Sequence, residues 1–90
     1  MKIDGIEYDV VLHYAEDGLC YEWHDAIVLR DPSNQLFYAD GSGCSCDYLE
    51  EHLMGVQDLT PVKSLHEAVE LFRQGFSDSD TVEFARRLLF

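Results

Sequence analysis

Cys44 and Cys46 sit one residue apart in the run Tyr38-Ala39-Asp40-Gly41-Ser42-Gly43-Cys44-Ser45-Cys46-Asp47. With Cys20, His24 and His52 they are the candidate metal ligands of this chain. Zinc takes four Cys or His ligands in a tetrahedron, and a closed site of that kind can hold a small domain together. A turn at Asp31-Pro32-Ser33-Asn34 brings the far ends of its flanking strands together, which carries Cys20 toward Cys46. The ligand set expected on this ground is Cys20, Cys44, Cys46 and His52, with zinc as cofactor. Two features oppose it. Cys-x-Cys is a poorer zinc spacing than Cys-x-x-Cys, and a strand splits the side chains of Cys20 and His24 between its faces. On the opposing reading the cysteines are small side chains packed beside a tight turn, and no cofactor is needed.

Nucleophilic chemistry is a second use for the same residues. Placed at the start of a helix beginning at Asp47, Cys44 or Cys46 would have its thiol pKa lowered, with His52 as base. His52 lies about a turn and a half further along that helix, and nothing in the chain supplies an oxyanion hole. The expectation is that the protein is not an enzyme. Gly41-Ser42-Gly43 lacks the lysine and the βαβ setting of a phosphate cradle. Its glycines are expected to supply positive φ in a loop over 41–47.

Carboxylates are the other concentrated chemistry. The chain carries 18 acidic against 6 basic side chains, a net charge of −12. Residues 1–60 hold thirteen acids against Lys2 and Arg30, a balance of −11, while 61–90 are nearly neutral at −1. Such a field repels nucleic acid and favours basic partners. It also keeps a small protein soluble, which is the plainer reading. Tyr14, Tyr21, Trp23 and Tyr38 lie among these acids, and rings framed by carboxylates suit a basic protein surface. Glu16, Asp17, Glu22, Trp23, Asp25, Asp40, Asp47, Glu50 and Glu51 are the candidate partner-binding residues.

These residues need elements to hold them. Ninety residues make one domain with a modest core. Ile6, Tyr8, Val10 and Leu12 alternate with more polar positions, which predicts one strand over 5–14. Asp17-Gly18 turns the chain, a second strand follows over 21–30, and Asp31-Pro32 leads a hairpin into a third over 36–39. After the Gly/Cys loop, Asp47 is expected to cap a helix reaching about Met54. Ser64 and Glu67 form a capping-box pattern before the stripe Leu65, Ala68, Val69 and Phe72. A last helix starts near Ser77, with a stripe of Val82, Ala85 and Leu89 flanked by Phe84 and Leu88. The fold class is α+β: a three-stranded antiparallel β-meander over 1–40, then two to three α-helices over 48–90 packed on one face. An uncovered sheet edge could pair with a second copy to give a homodimer. No apolar run reaches the roughly 18 residues of a membrane span, and Met1-Lys2-Ile3-Asp4-Gly5 lacks the apolar core of a signal peptide. A cytoplasmic protein is expected.

Three stretches carry a resemblance: Leu29-Arg30-Asp31-Pro32, the run from Leu36 to Cys46, and Asp58-Leu59-Thr60-Pro61-Val62. Over roughly 25–70 the chain resembles a family of small uncharacterised proteins encoded by phages of actinobacteria, marked by a Ser-Gly-Cys-x-Cys loop. It departs at Asp47-Tyr48-Leu49, where such relatives often carry Pro or Ser. The resemblance implies a phage origin, a place in the host cytoplasm and no established activity. With the acidic balance, it suggests a protein that binds and modulates a host macromolecule, as a DNA mimic inhibiting a nucleic-acid-binding or defence protein. The alternative is a zinc-stabilised interaction module.

Overall fold

A long hairpin forms the centre of the molecule in a computed structural model that describes residues 1–90. Its arms are β4 (Glu22–Arg30) and β5 (Leu36–Cys44), in register from Glu22 opposite Cys44 to Arg30 opposite Leu36. Asp31 makes the turn between them. Its Oδ1 accepts hydrogen bonds from the backbone N–H of Ser33 (2.9 Å) and Gln35 (2.8 Å) and from the Ser33 hydroxyl (2.8 Å). Desolvation pulls the Asp31 pKa up, but these bonds outweigh it and hold the carboxyl below its ordinary value.

β3 (Asp9–Ala15) flanks β4, and β6 (Thr60–Val62) flanks β5, giving an antiparallel sheet in the order β3-β4-β5-β6. The expected three-stranded meander is therefore corrected to four strands. β6 is three residues long, too short to show an alternation, and its Pro61 is tolerated because the strand lies at an edge. The single strand expected over 5–14 is also divided. β1 (Lys2–Ile3) and β2 (Ile6–Glu7) form a separate hairpin around Asp4 and Gly5, both with positive φ, at 50° and 79°. β3 begins only after Tyr8 and carries a bulge between Val10 and Leu12. Ile6 and Val10 are consequently exposed, while Ile3 and Tyr8 are buried. The bulge on one edge and the proline on the other oppose pairing with a second sheet.

Both faces of the sheet are covered, which explains the unbroken apolar run Ala26-Ile27-Val28-Leu29. Ala26 and Val28 point into a core shared with α1 (Leu65–Arg73) and α2 (Asp78–Leu89). Ile27 and Leu29 point into a second core with Ile3, Tyr8, Phe37, Leu49, Leu53 and Leu59. The two helices thus pack on one face as expected, but the opposite face is not open to solvent. It is closed by the β1-β2 hairpin, by a 3-10 helix, Leu49–His52, and by Leu53 and Leu59 on either side of a second, solvent-facing 3-10 helix, Val56–Asp58. The helix expected from Asp47 to Met54 is reduced to the first of these. Tyr48, not Asp47, occupies its cap position and supplies no side-chain bond, while the Asp47 carboxylate is engaged with Trp23 and His52.

Both long helices start where their caps predict. Ser64 Oγ accepts from the Glu67 N–H at 3.3 Å, and Ser77 Oγ accepts from the Asp80 N–H at 3.1 Å. Along α1, Ala68, Val69 and Phe72 are buried as the stripe requires. On α2 the buried stripe is Thr81, Phe84 and Leu88; of the expected stripe Ala85 and Leu89 pack half-buried at the margin of the core, while Val82 is turned outward and 69% exposed. Phe84, Phe72, Phe76 and His24 stack in a column, with centroid separations of 4.0, 4.0 and 3.8 Å and near-parallel rings. Tyr14 meets Phe72, Phe76 and Phe84 edge-on, the geometry favoured by ring quadrupoles. Its hydroxyl donates to Asp80 Oδ1 at 2.6 Å, tying β3 to the start of α2.

Candidate functional site

The sheet end where β4 begins and β5 stops gathers nearly every residue singled out by type. Trp23 pairs across strands with Gly43, and Asp25 with Gly41. Gly41-Ser42-Gly43 is thus strand, not loop, and neither glycine has positive φ; among glycines that conformation belongs to Gly5 and Gly18. Their role is space. A Cβ on Gly43 would lie 2.7 Å from Trp23 Nε1 and 2.7 Å from Asp47 Oδ1, and one on Gly41 would meet the Trp23 ring at 3.5 Å. The indole lies flat across the two bare positions of β5.

That placement aims the indole N–H at Asp47. Trp23 Nε1 donates to Asp47 Oδ1 at 2.8 Å, and the His52 ring nitrogen Nε2 lies 3.0 Å from Oδ2. The Trp23 bond first, and His52 second, hold the Asp47 carboxyl below its ordinary pKa. His52 leans over Trp23, with ring centroids 5.6 Å apart. Beside this pair Cys44 and Cys46 are joined as a disulfide across Ser45, their Cα atoms 5.4 Å apart, and reduction would return them to a vicinal dithiol. One ligand atom from each of Cys44, Cys46 and Asp47 lies within 4.8 Å of the others. Of the ligand set expected from the sequence, Cys44 and Cys46 come together with Asp47, Cys20 is an exposed free thiol outside that group, and His52 contacts Asp47.

Two more histidine–carboxylate pairs flank the site. His13 Nε2 is 2.8 Å from Asp25 Oδ2, with Glu50 3.6 Å from its other nitrogen. His24 Nδ1 is 2.8 Å from Glu16 Oε2 on the helix-covered face. An open groove of about 420 Å³ lies at this end of the sheet, lined among others by Glu16, Leu19, Glu22, Trp23, His24 and Cys44. His13 escaped the sequence reading because its partners come from β4 and from the first 3-10 helix, which only the strand register and chain return bring together.

The aromatic set is sorted by burial. Tyr14 and Tyr38 belong to the core, so they are not surface anchors. Burial, reinforced by Asp80, pushes the Tyr14 hydroxyl up to about 12, and burial together with a bond to Asp40 raises Tyr38 still further. Tyr21 (85% exposed, φ 62°) and Tyr48 (64% exposed) are the rings left on the surface at this end. Trp23 is half-buried.

A family model described as "Domain of unknown function (DUF7574)" matches residues 7–88. The chain belongs to the DUF7574 family. This agrees with the expectation of a family of uncharacterised proteins, and the match spans the four-stranded sheet, both helices and the whole candidate site. Comparison of the DUF7574 chain with curated proteins and with solved structures returned no match. No helix is long and apolar enough to cross a membrane.

Proposed function

We propose that this chain is a docking module for a basic macromolecular partner, engaged through the acidic end of its sheet. One observation carries the reading. Glu16, Asp17, Glu22, Asp25, Asp47, Glu50 and Glu51 belong to this end of β3, β4 and β5 or to the segments that leave it, Asp40 lies midway along β5, and residues 16–29 and 31–62 contain no lysine or arginine. These strands and the segments that leave them contribute carboxylates and no lysine or arginine here, with Arg87 of α2 reaching only the Tyr14 ring at the margin, and the exposed rings of Tyr21 and Tyr48 stand among the acids as apolar anchors. Carboxylates of this density steer a cationic surface on approach, and aromatic rings supply contact energy once it arrives.

In the actinobacterial-phage setting that the resemblance implies, the partner is a host nucleic-acid-binding protein, one of bacterial defence for example, and the carboxylates take the place of phosphates. Immobilised protein is exposed to host lysate at low salt, and the captured species is challenged with salt and separately with duplex DNA. Mimicry requires release by both, and loss of capture by the E22K/E51K variant. A partner whose affinity ignores salt, or that binds duplex DNA and this chain together, would sink the proposal.

A further inference from the structure

We propose that Cys44, Cys46 and Asp47 form an open binding site for a borderline-soft divalent cation of the zinc class, with the two cysteines in the dithiol state and His52 as a positioning residue. The site lies beyond the docking reading and stands on separate observations.

The donor set is the first of them. Two sulfurs and a carboxylate are what such a cation selects over magnesium or calcium, which take oxygen alone. The ligand atoms lie within 4.8 Å of one another. Once the Cys44–Cys46 pairing is reduced, a tetrahedral zinc with Zn–S near 2.3 Å and Zn–O near 2.1 Å asks for ligands about 3.5–3.8 Å apart, so the two sulfurs must rotate apart while staying beside Asp47. The two sulfurs are paired with one another in the structure, and both cysteines are exposed, so a reductant and then a cation reach them from solvent.

The support around Asp47 is the second. Trp23 Nε1 fixes one carboxylate oxygen and His52 the other, at 2.8 and 3.0 Å, and each oxygen keeps a lone pair for metal. Outer-shell bonds of this kind orient a ligating carboxylate before the ion arrives. The backbone is pinned as well: Ser45 N–H donates to the Tyr21 carbonyl at 3.0 Å, and Asp47 N–H closes the turn onto the Cys44 carbonyl at 3.3 Å. Surrounding carboxylates, including Glu16 and Glu22 along the groove, concentrate cations at the entrance. Binding is written M²⁺ + 2 RSH → M(SR)₂ + 2 H⁺, with both thiol protons going to solvent and no redox change. Three protein ligands leave the fourth position to water, as in open sites.

The test uses full-length protein, reduced with a non-thiol phosphine and titrated with Co²⁺ as a spectroscopic stand-in. The expected result is one Co²⁺ per chain with a thiolate-to-cobalt charge-transfer band, accompanied by a change in the fluorescence of Trp23, the single tryptophan. Zn²⁺ should displace the cobalt and bleach the band. C44S and C46S should abolish it, C20S should leave it intact, and D47N and H52A should weaken affinity by about 10–100-fold. Circular dichroism confirms that each variant is folded. Absence of the band in folded, reduced wild type overturns the proposal, as does a band that survives in the C44S/C46S double variant. A band lost in C20S overturns it too, because the ligand set would then be a different one.

Discussion

Gly43→Ala would place a methyl group 2.7 Å from both Trp23 Nε1 and Asp47 Oδ1, two groups bonded to one another. The indole must lift off β5, and we expect a loss of about 1–3 kcal/mol in urea denaturation with a red shift of tryptophan emission. Gly41→Ala meets a Leu49 methyl at 3.2 Å, which can give way, and should change stability by less than about 1 kcal/mol. Equal effects at the two positions would contradict the packing described. Tyr14→Phe removes the 2.6 Å bond to Asp80, at a cost of about 1.5–3 kcal/mol. Its hydroxyl is raised from 10 to about 12 by burial and Asp80, so the neutral phenol is favoured by folding. That contribution is complete below pH 10 and lost as pH rises through about 12, so wild type should lose stability over this window more steeply than Y14F. Glu83 behaves with the opposite sign. Hydrogen bonds from Arg86, then Arg87, lower it from 4.5 to about 2, so its contribution to α2 is present above pH 4.5 and fades as pH falls through 2. Acid titration of E83Q against wild type, followed by helical circular dichroism, reads this difference.

At the scale of elements, the caps make a graded prediction. Ser77 accepts from Asp80 N–H and also donates its hydroxyl to Asp80 Oδ2 at 2.8 Å, steadying the carboxylate that holds Tyr14. Ser64 makes a single longer bond. Ser77→Ala should therefore cost about 1–2 kcal/mol and Ser64→Ala about 0.5–1, measured by thermal melts. The same caps were what made α1 and α2 legible from sequence, as Asp31-Pro32 made the central hairpin legible. What escaped was set by distant parts of the chain. β6 is a strand because the edge of β5 offers it partners, and three residues cannot advertise that. The first 3-10 helix begins after Tyr48, and Asp47, the cap its sequence suggests, bonds Trp23 and His52 instead. Asp47, Cys44, Cys46 and His52 were each recognisable by type. The role of Gly41 and Gly43 was not, since it depends on the register that sets Trp23 opposite Gly43.

For the whole molecule, the segregation of charge has a cost apart from any partner. With a net charge of −12 and thirteen of the eighteen acids set against two basic side chains in residues 1–60, like charges repel in the folded state. Added salt screens this within a Debye length of about 10 Å at 0.1 M, so the melting temperature should rise as salt is raised from low values. E22K/E51K should reduce both the salt response and affinity for a basic partner, the latter by about tenfold or more, while leaving the fold intact. A variant that melts and responds to salt like wild type would argue that the acids are too well solvated to act together.

The aromatic column ending at His24 has one more consequence, and it is magnetic. Circulating π electrons shield nuclei above and below a ring, and His24 lies 3.8 Å over Phe76 with its plane 7° from parallel. Its carbon-bound ring protons should therefore resonate well upfield of those of His66, which lies exposed on α1. Phe76 in turn rests on Phe72 between the helices, so a loosening of the helical pair would move the His24 signals before any strand separates. A one-dimensional proton spectrum of the unlabelled protein would then report the state of the interior from a residue at its rim.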